Sequence, residues 1–303
     1  MLAGTPAVDL HSHSDVSDGT LAPADLVDRA HANGVAVLAL TDHDTVAGLR
    51  VAGEAAARVG VRLVPGVEIS VTWMGRTLHV LGLDVRPDAP LLRGGLSTLQ
   101  SVRRERAEEM GRRLEKAGIP DAYDGALRLA GAGQVTRTHF ARFLVNAGYS
   151  ADVNKAFQRY LSRGRPGYVR VKWADLDESI GWIRASGGIP VLAHPLSYGL
   201  TGAWLSRVLS AFTDAGGQAL EVVCGARTQR EAIALSAGYA RRFGLLGSVG
   251  SDFHTPDTPW IDLGRLPPLP ESLEPVWTRF RDFQGPGRAS ATEPRLDGAG
   301  TRV

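Results

Sequence analysis

Short, wholly apolar runs alternate with amphipathic stretches over the first eighty residues of the chain. Residues 8–10 open a strand that ends at His11. Residues 23–33 have the pattern of a helix, with Pro23 suited to its first turn and Gly34 to its stop. Residues 35–40 read as a buried strand, 45–59 as a helix and 61–69 as the next strand. Residues 71–73 and 77–83, joined across Met74-Gly75-Arg76, suggest a hairpin. Alternation of strand and helix implies parallel strands with crossover helices. The rhythm resumes at residues 189–193, 219–223 and 246–250, with helical stretches between. That number of strands suits a β/α barrel better than a short open sheet.

Between residues 96 and 169 the rhythm changes: 99–116, 138–146 and 152–161 read as helices with no convincing strand among them. The pattern predicts a discontinuous barrel formed by residues 1–95 and 170–284, carrying a helical insertion over 96–169. Beyond Gly264, prolines at 267, 268 and 270 precede an amphipathic stretch over 273–283. Residues 285–303, rich in Gly, Ala, Arg and Pro, predict a disordered tail.

Composition narrows the chemistry. The 303 residues carry a formal net charge of +2, so the chain lacks the global basic field of a duplex nucleic-acid binder. Its basic residues are nearly all arginine, with lysine only at Lys116, Lys155 and Lys172. Cys224 is the sole cysteine, which rules out an intramolecular disulfide and a thiolate metal cluster. Any metal must be held by nitrogen and oxygen. No basic segment leads into an apolar one at the N-terminus, and no apolar run approaches ~18 residues. A soluble, cytoplasmic protein with no membrane partner is expected.

Polar residues sit at the ends of the predicted strands, where β/α proteins place their sites. His11 and His13 close the first strand, with Asp18 just beyond, and two positions apart on an extended segment their imidazoles share a face. Asp42-His43-Asp44 closes the second strand and Glu68 the third. His79 lies on the hairpin, His194 precedes Pro195, and Asp252 and His254 follow the last strand. Singly, each has an ordinary reading: a hydrogen-bonded loop histidine, a turn aspartate at 18, a helix cap at 44. Glu68 is odder, because an unpaired carboxylate beside a buried strand is costly. Six of the eight histidines share this placement, and packing does not explain that coincidence. His31, within a helix, is assigned to structure.

These motifs resemble the polymerase and histidinol phosphatase (PHP) superfamily, in its small-phosphatase and exonuclease branch. The matches are His-Ser-His-Ser with Ser-Asp-Gly, Leu-Thr-Asp-His-Asp-Thr, Gly-Val-Glu-Ile-Ser, Leu-His-Val-Leu-Gly, Ala-His-Pro and Gly-Ser-Asp-Phe-His, in family order. The resemblance implies a distorted seven-stranded β/α (TIM-like) barrel and three divalent metal ions. One metal would take His11, His13, Glu68 and Asp252; a second would share Glu68 and take His79 and His194; the third would take Asp18, His43 and His254. Asp18, Glu68, His194, Asp252 and His254 would carry catalysis. Aspartate at position 18, where histidinol phosphatases tend to have histidine, and the helical insertion point to enzymes acting on 3′,5′-bisphosphorylated nucleosides or short 5′-phosphorylated RNA.

The donor chemistry agrees with that expectation. Nitrogen and carboxylate ligands suit Mn²⁺ (the first choice here), Fe²⁺ or Zn²⁺. Glu68 bridging two such ions would lower the pKa of a shared water and give a bridging hydroxide at neutral pH. Asp42 and Asp44 are either partners orienting histidines or strand-end caps. Arg137 and Arg165, with His139, are candidates for gripping the substrate's non-reacting phosphate. Arg163 reads as a solvated charge, and the same reading stays open for the other two arginines. His139 could equally be an ordinary helix residue. The common family form has Pro where this chain has Thr138. The principal expectation is therefore a phosphatase acting on a small nucleotide, most simply a 3′,5′-nucleoside bisphosphate. A 5′-to-3′ exoribonuclease is the alternative within the family, and a non-catalytic metal-binding accessory module the alternative of another class. The oligomeric state is left open.

Overall fold

In the computed structural model, residues 7–258 and 260–281 are described. β1 (Ala7–Asp9), β2 (Val35–Leu40) and β3 (Arg62–Trp73) pair in parallel, in that order. Met74 and Gly75 turn the chain into β4 (Arg76–Leu83), which is antiparallel to β3. β5 (Ala174–Asp175) is a two-residue strand beside β3 and off the main path. β6 (Ile189–Leu192) is antiparallel to β4, and β7 (Ala219–Cys224) and β8 (Leu246–Gly250) continue in parallel. The Leu10 N–H donates to the Val249 carbonyl at 3.0 Å, and Ser12 bridges to Phe253, so the last strand returns to the first. The result is a distorted, nearly closed seven-stranded β/α barrel.

Helices cover the barrel because their apolar stripes have nowhere else to go. α1 (Pro23–Ala32) and α2 (Leu49–Val59) bury Leu26, Val27, Ala52 and Ala56 with Leu38 and Leu40 of β2. α7 (Leu176–Ala185), α8 (Gly202–Asp214) and α9 (Arg230–Arg242) place Ile180, Ile183, Leu209, Phe212 and Ile233 in the main core with Val80, Val191 and Leu220. Each buried valine, leucine, isoleucine or phenylalanine among them contributes roughly 1.5–3 kcal/mol.

The insertion hangs on α3 (Pro90–Lys116). The first half of α3 buries Leu92, Leu96 and Leu99 in the barrel core. Its second half packs Ala107, Met110 and Leu114 with α4 (Ala122–Ala130), α5 (Arg137–Asn146) and α6 (Val153–Ala156), forming a separate apolar cluster. A π-helical turn, Phe157–Leu161, follows α6.

Several elements differ from the sequence expectation for visible reasons. α3 begins nine residues before position 99, at Pro90. Gly94 and Gly95 weaken its helical signal, and Gly95 is required because a Cβ there would lie 2.4 Å from the Trp182 ring. α4 departs from the sequence expectation, and Gly125 within it weakens its helical signal. The strands over 61–69 and 71–73 are one continuous strand, and the helix expected from 45 starts at Leu49, after a turn that follows Asp44 at φ 50°. The amphipathic stretch at 273–283 contains only a 3₁₀ turn, Val276–Arg279, after Pro275. Its last two residues and the expected tail from 285 lie outside the described residues. No helix among the described residues is long and apolar enough to cross a membrane.

Candidate metal centre

All nine residues singled out as metal ligands converge at one end of the barrel, around Glu68. This carboxylate is 1% exposed, where an ionised group without counter-charge would be very unfavourable. Its Oε2 lies 2.9 Å from His43 Nδ1, 3.3 Å from His13 Nε2 and 3.4 Å from His11 Nε2. Its Oε1 lies 2.9 Å from His79 Nδ1 and 3.0 Å from His194 Nε2. Asp252 Oδ1 approaches His13 and His11 at 3.2 and 3.4 Å, and Asp18 Oδ1 approaches His254 Nε2 at 3.3 Å.

The donor atoms are close without being paired. Among the described residues, His11 Nε2, both ring nitrogens of His13, Asp18 Oδ1, His43 Nδ1, Glu68 Oε2 and His79 Nδ1 are buried with no aligned hydrogen-bond partner. Buried polar atoms are rarely left so, and this many unpaired donors facing one another fit cations bound between them. The atoms fall into three sets, each within 4.8 Å: His13, Asp18, His43 and His254; His11, His13 and Asp252; and His43, Glu68 and His79. Nitrogen and carboxylate donors of this kind suit first-row divalent ions.

Charge is strongly coupled across the cluster. Burial would lower His254, but Asp18 and Asp252 outweigh it and push its pKa up to about 10. His11 is likewise carried well above its ordinary value, against burial, by Glu221, Asp252 and Glu68. His13 goes the other way, to about 3, through burial and the neighbouring His254 and His43. Burial would raise Glu68, Asp18 and Asp252, yet the surrounding imidazoles hold all three well below the usual carboxylate range.

The supporting groups come from residues whose roles differ from expectation. Asp42 accepts from the Ser14 N–H and the Ser14 and Ser17 hydroxyls, tying down the loop that carries His13 and Asp18. Asp44 accepts from the Ser70 N–H at 2.7 Å and from Arg103 Nε at 2.6 Å. The carboxylate that orients a histidine is instead Glu221, fully buried on β7. Its Oε1 accepts from His11 Nδ1 at 3.0 Å, and its Oε2 accepts the His194 N–H at 2.6 Å. Gly250 makes that approach possible, since a Cβ there would lie 2.3 Å from His11 Cβ and 2.6 Å from Glu221 Oε1. His194 itself has φ 29° and Asp252 φ 53°, conformations that cost roughly 1–3 kcal/mol each and that the hydrogen bonds around them hold in place. Glu221 was overlooked in the sequence, although a glutamate inside the apolar run Ala-Leu-Glu-Val-Val is itself a signal. Asp9 is a similar case: it is fully buried, and it accepts the N–H groups of Ser251 and Gly264, each at 2.9 Å.

The cluster opens into a cavity of about 820 Å³ that six cationic side chains also line: Arg76, Arg103, Arg106, Arg137, Arg170 and Lys172. Arg103 and Arg106 both lie over the Trp173 ring, at 5.1 and 5.4 Å, and Arg137 lies over Phe157 at 5.4 Å. Arg103 is held by Asp44 and by the Ser70 hydroxyl at 2.9 Å. Arg106 has no such carboxylate: its Nε is enclosed without a hydrogen-bond partner among the described residues. Burial, Arg137 and Arg103 lower its pKa to about 9. Of the three expected phosphate-binding residues, only Arg137 lines this cavity. Arg165 borders a separate depression with Tyr149, Lys155 and Arg159. His139 is buried in the capping box of α5, its Nδ1 accepting the Thr136 N–H at 3.0 Å. Thr138, the departure from the common family form, donates its hydroxyl to Asp18 Oδ2 at 2.9 Å, a bond that proline could not make.

Comparison with known proteins agrees with this geometry. The PHP domain model matches residues 9–164. A 5′-3′ exoribonuclease from Haemophilus influenzae is 47% identical over 91% of this chain and 100% of its own length. A 3′,5′-nucleoside bisphosphate phosphatase from Chromobacterium violaceum is 44% identical over 89% of this chain and 95% of its own. A solved structure, an amidohydrolase from Chromobacterium violaceum with bound sulfate and no metal, superposes with a TM-score of 0.86 at 43% identity, covering 90% of this chain and 95% of that one. With the motifs in place, the barrel formed and the match extending over half its length, the chain belongs to the PHP domain family.

Proposed function

We propose that this PHP-family phosphoesterase hydrolyses a phosphomonoester of a small nucleotide carrying two phosphates, most simply a 3′,5′-nucleoside bisphosphate. One observation carries the reading: a single cavity is lined both by residues of the histidine–carboxylate cluster and by Arg103, Arg106 and Arg137. A ligand with two phosphates can meet both. Divalent ions at the cluster, three of them and Mn²⁺ in our reading, would acidify water and offset the charge on the phosphate being cleaved. The grouped donor atoms overlap the sets expected from the motifs without reproducing them: His13 joins Asp18, His43 and His254, Glu68 is not grouped with His11, His13 and Asp252, and His43 stands with Glu68 and His79 where His194 was expected.

The chain's own residues supply position. Glu221 fixes His11 and the backbone of His194, Asp42 fixes the loop of His13 and Asp18, and the arginines take the non-reacting phosphate. A grip there is binding energy that aligns the reacting group. Arg106 has most to gain, since an anion would neutralise a cation that its neighbours now repel. Water adds to phosphorus, the ester P–O bond breaks, and the departing nucleoside oxygen takes a proton. In this reading residues 1–95 and 170–284 form the catalytic barrel, and 96–169 contribute Arg103, Arg106 and Arg137. The lone Cys224 fits a reducing, cytoplasmic setting.

The same site would serve a 5′-to-3′ exoribonuclease on short 5′-phosphorylated RNA, as the name of the Haemophilus influenzae relative indicates for that protein. Incubating the protein and Mn²⁺ with nucleoside mono- and bisphosphates, p-nitrophenyl phosphate and short RNAs tests both. Preferential phosphate release from the bisphosphate supports the first reading, and release of mononucleotides alone supports the second. Inertness toward the whole panel overturns both.

A further inference from the structure

The metal-type cluster has a second opening. His194 and Asp252, which line the large cavity, also line a separate one of about 560 Å³ reached between the loops after β6, β7 and β8. Its remaining walls are mostly apolar and include Leu196, Cys224 and Trp260. Burial, with Glu221 beside it, pushes the Cys224 thiol up, so that side chain is an uncharged wall. Trp260 is 49% exposed, a costly place to leave an indole, and the Arg227 guanidinium lies 4.9 Å over its ring. Apart from the shared Asp252, no acidic residue among the described residues lines this cavity.

We infer that this second cavity binds the nucleoside esterified to the far side of the scissile phosphate when the substrate is a phosphodiester. The inference rests on the proposed phosphoester hydrolysis at the cluster. Three features point to that occupant. The cavity has the size of a small-molecule site. An exposed indole carrying a guanidinium is a stacking platform for bases, and Arg227 places positive charge where the next phosphate of the strand would pass. The shared wall of His194 and Asp252 makes the cavity continuous with the site of phosphate cleavage. The first nucleoside, between cluster and arginines, already occupies the large cavity, so only the following one remains to be housed. In the reaction, water oxygen bonds to phosphorus, the bond from phosphorus to the 3′ oxygen of the first nucleotide breaks, and that oxygen takes a proton from the water. The phosphate stays on the nucleoside in the second cavity.

The test compares kcat/KM for 5′-phosphorylated diadenylate with that for adenosine 3′,5′-bisphosphate, using Mn²⁺-loaded full-length protein. Trp260→Ala should lower the dinucleotide-to-bisphosphate ratio about tenfold, the usual size of a lost base stack. Ala232→Trp, which fills the cavity from α9, should lower it at least as far, and Arg227→Ala should lower it in the same direction. Ratios unchanged in all three variants overturn the subsite. So does wild-type protein that cleaves the bisphosphate and leaves the dinucleotide intact, an outcome that leaves the proposed phosphatase reading standing. Failure to cleave either substrate removes that reading, and the subsite with it.

Discussion

Glu221 Oε1 accepts a hydrogen bond from His11 Nδ1 at 3.0 Å, deep inside the barrel and more than two hundred residues away along the chain. With a metal bound, that bond would keep the His11 proton on Nδ1 and free Nε2, which faces Glu68 and Asp252, to ligate. The other oxygen of Glu221 accepts the His194 N–H at 2.6 Å, so one carboxylate fixes two members of the cluster. Glu221→Gln should therefore weaken metal retention by about 10–100-fold. Metal content after dialysis against a graded chelator reads this directly, and retention equal to wild type would show that Glu221 is merely a satisfied core residue.

Asp18 should be separable from the rest of the cluster. Its set contains His13, His43 and His254, and Thr138 supports it from the insertion. Asp18→Ala is expected to lose one bound ion and at least ~10-fold in turnover, while the barrel stays folded. Thr138→Val should move in the same direction by a few-fold (about 1 kcal/mol for a lost hydrogen bond). Elemental analysis and thermal melts check both, and an Asp18→Ala protein with wild-type turnover would contradict the assignment.

The two arginines over Trp173 should behave oppositely in stability. Arg103 is paired with buried Asp44, so Arg103→Ala leaves an uncompensated carboxylate and should cost about 3–5 kcal/mol. Arg106 lacks such a partner among the described residues and is repelled by Arg103 and Arg137, so Arg106→Ala should leave the melting temperature unchanged or raise it. Yet it should lower kcat/KM for a 3′,5′-bisphosphate about tenfold or more relative to p-nitrophenyl phosphate. Equal losses on both substrates would place Arg106 with the fold or the metals instead.

The barrel strands and the cluster were legible in the sequence for a shared physical reason. Buried strands are largely apolar, so a histidine just past one, as at His11 and His194, or a carboxylate inside one, as at Glu68, is conspicuous. What was not legible depends on distance in space. Arg103 and Arg106 sit on a charged helix among many arginines, and only folding brings Trp173 beneath them. Arg165 carries the same chemistry as Arg137 but lies beyond the π-helical turn, on another surface. His139 looked available for substrate, whereas its ring is used to cap α5.

That capping role gives a pH signature. Burial lowers His139 to about 4, from an ordinary value near 6.5, so the folded state favours the neutral ring. The unfolded chain binds a proton first as pH falls. Stability from this group is thus fully present above about pH 6.5 and is lost as pH drops toward 4, by up to about 3 kcal/mol. In urea titrations at pH 7 and pH 4.5, His139→Gln should lose less stability between the two than wild type does. An identical loss would remove His139 as a contributor.

Protons should also leave when metal binds, because His254 is held near 10 and must be deprotonated to ligate. The most direct test of the whole account joins that binding to chemistry: metal-stripped protein is titrated with Mn²⁺ at pH 8 while phosphate release from adenosine 3′,5′-bisphosphate and proton release are followed together. The account predicts no turnover at zero metal, proton release on loading, and activity that rises until the three ligand sets are filled. Full phosphate release in excess chelator, or saturation with Mn²⁺ and no release at all, would contradict it.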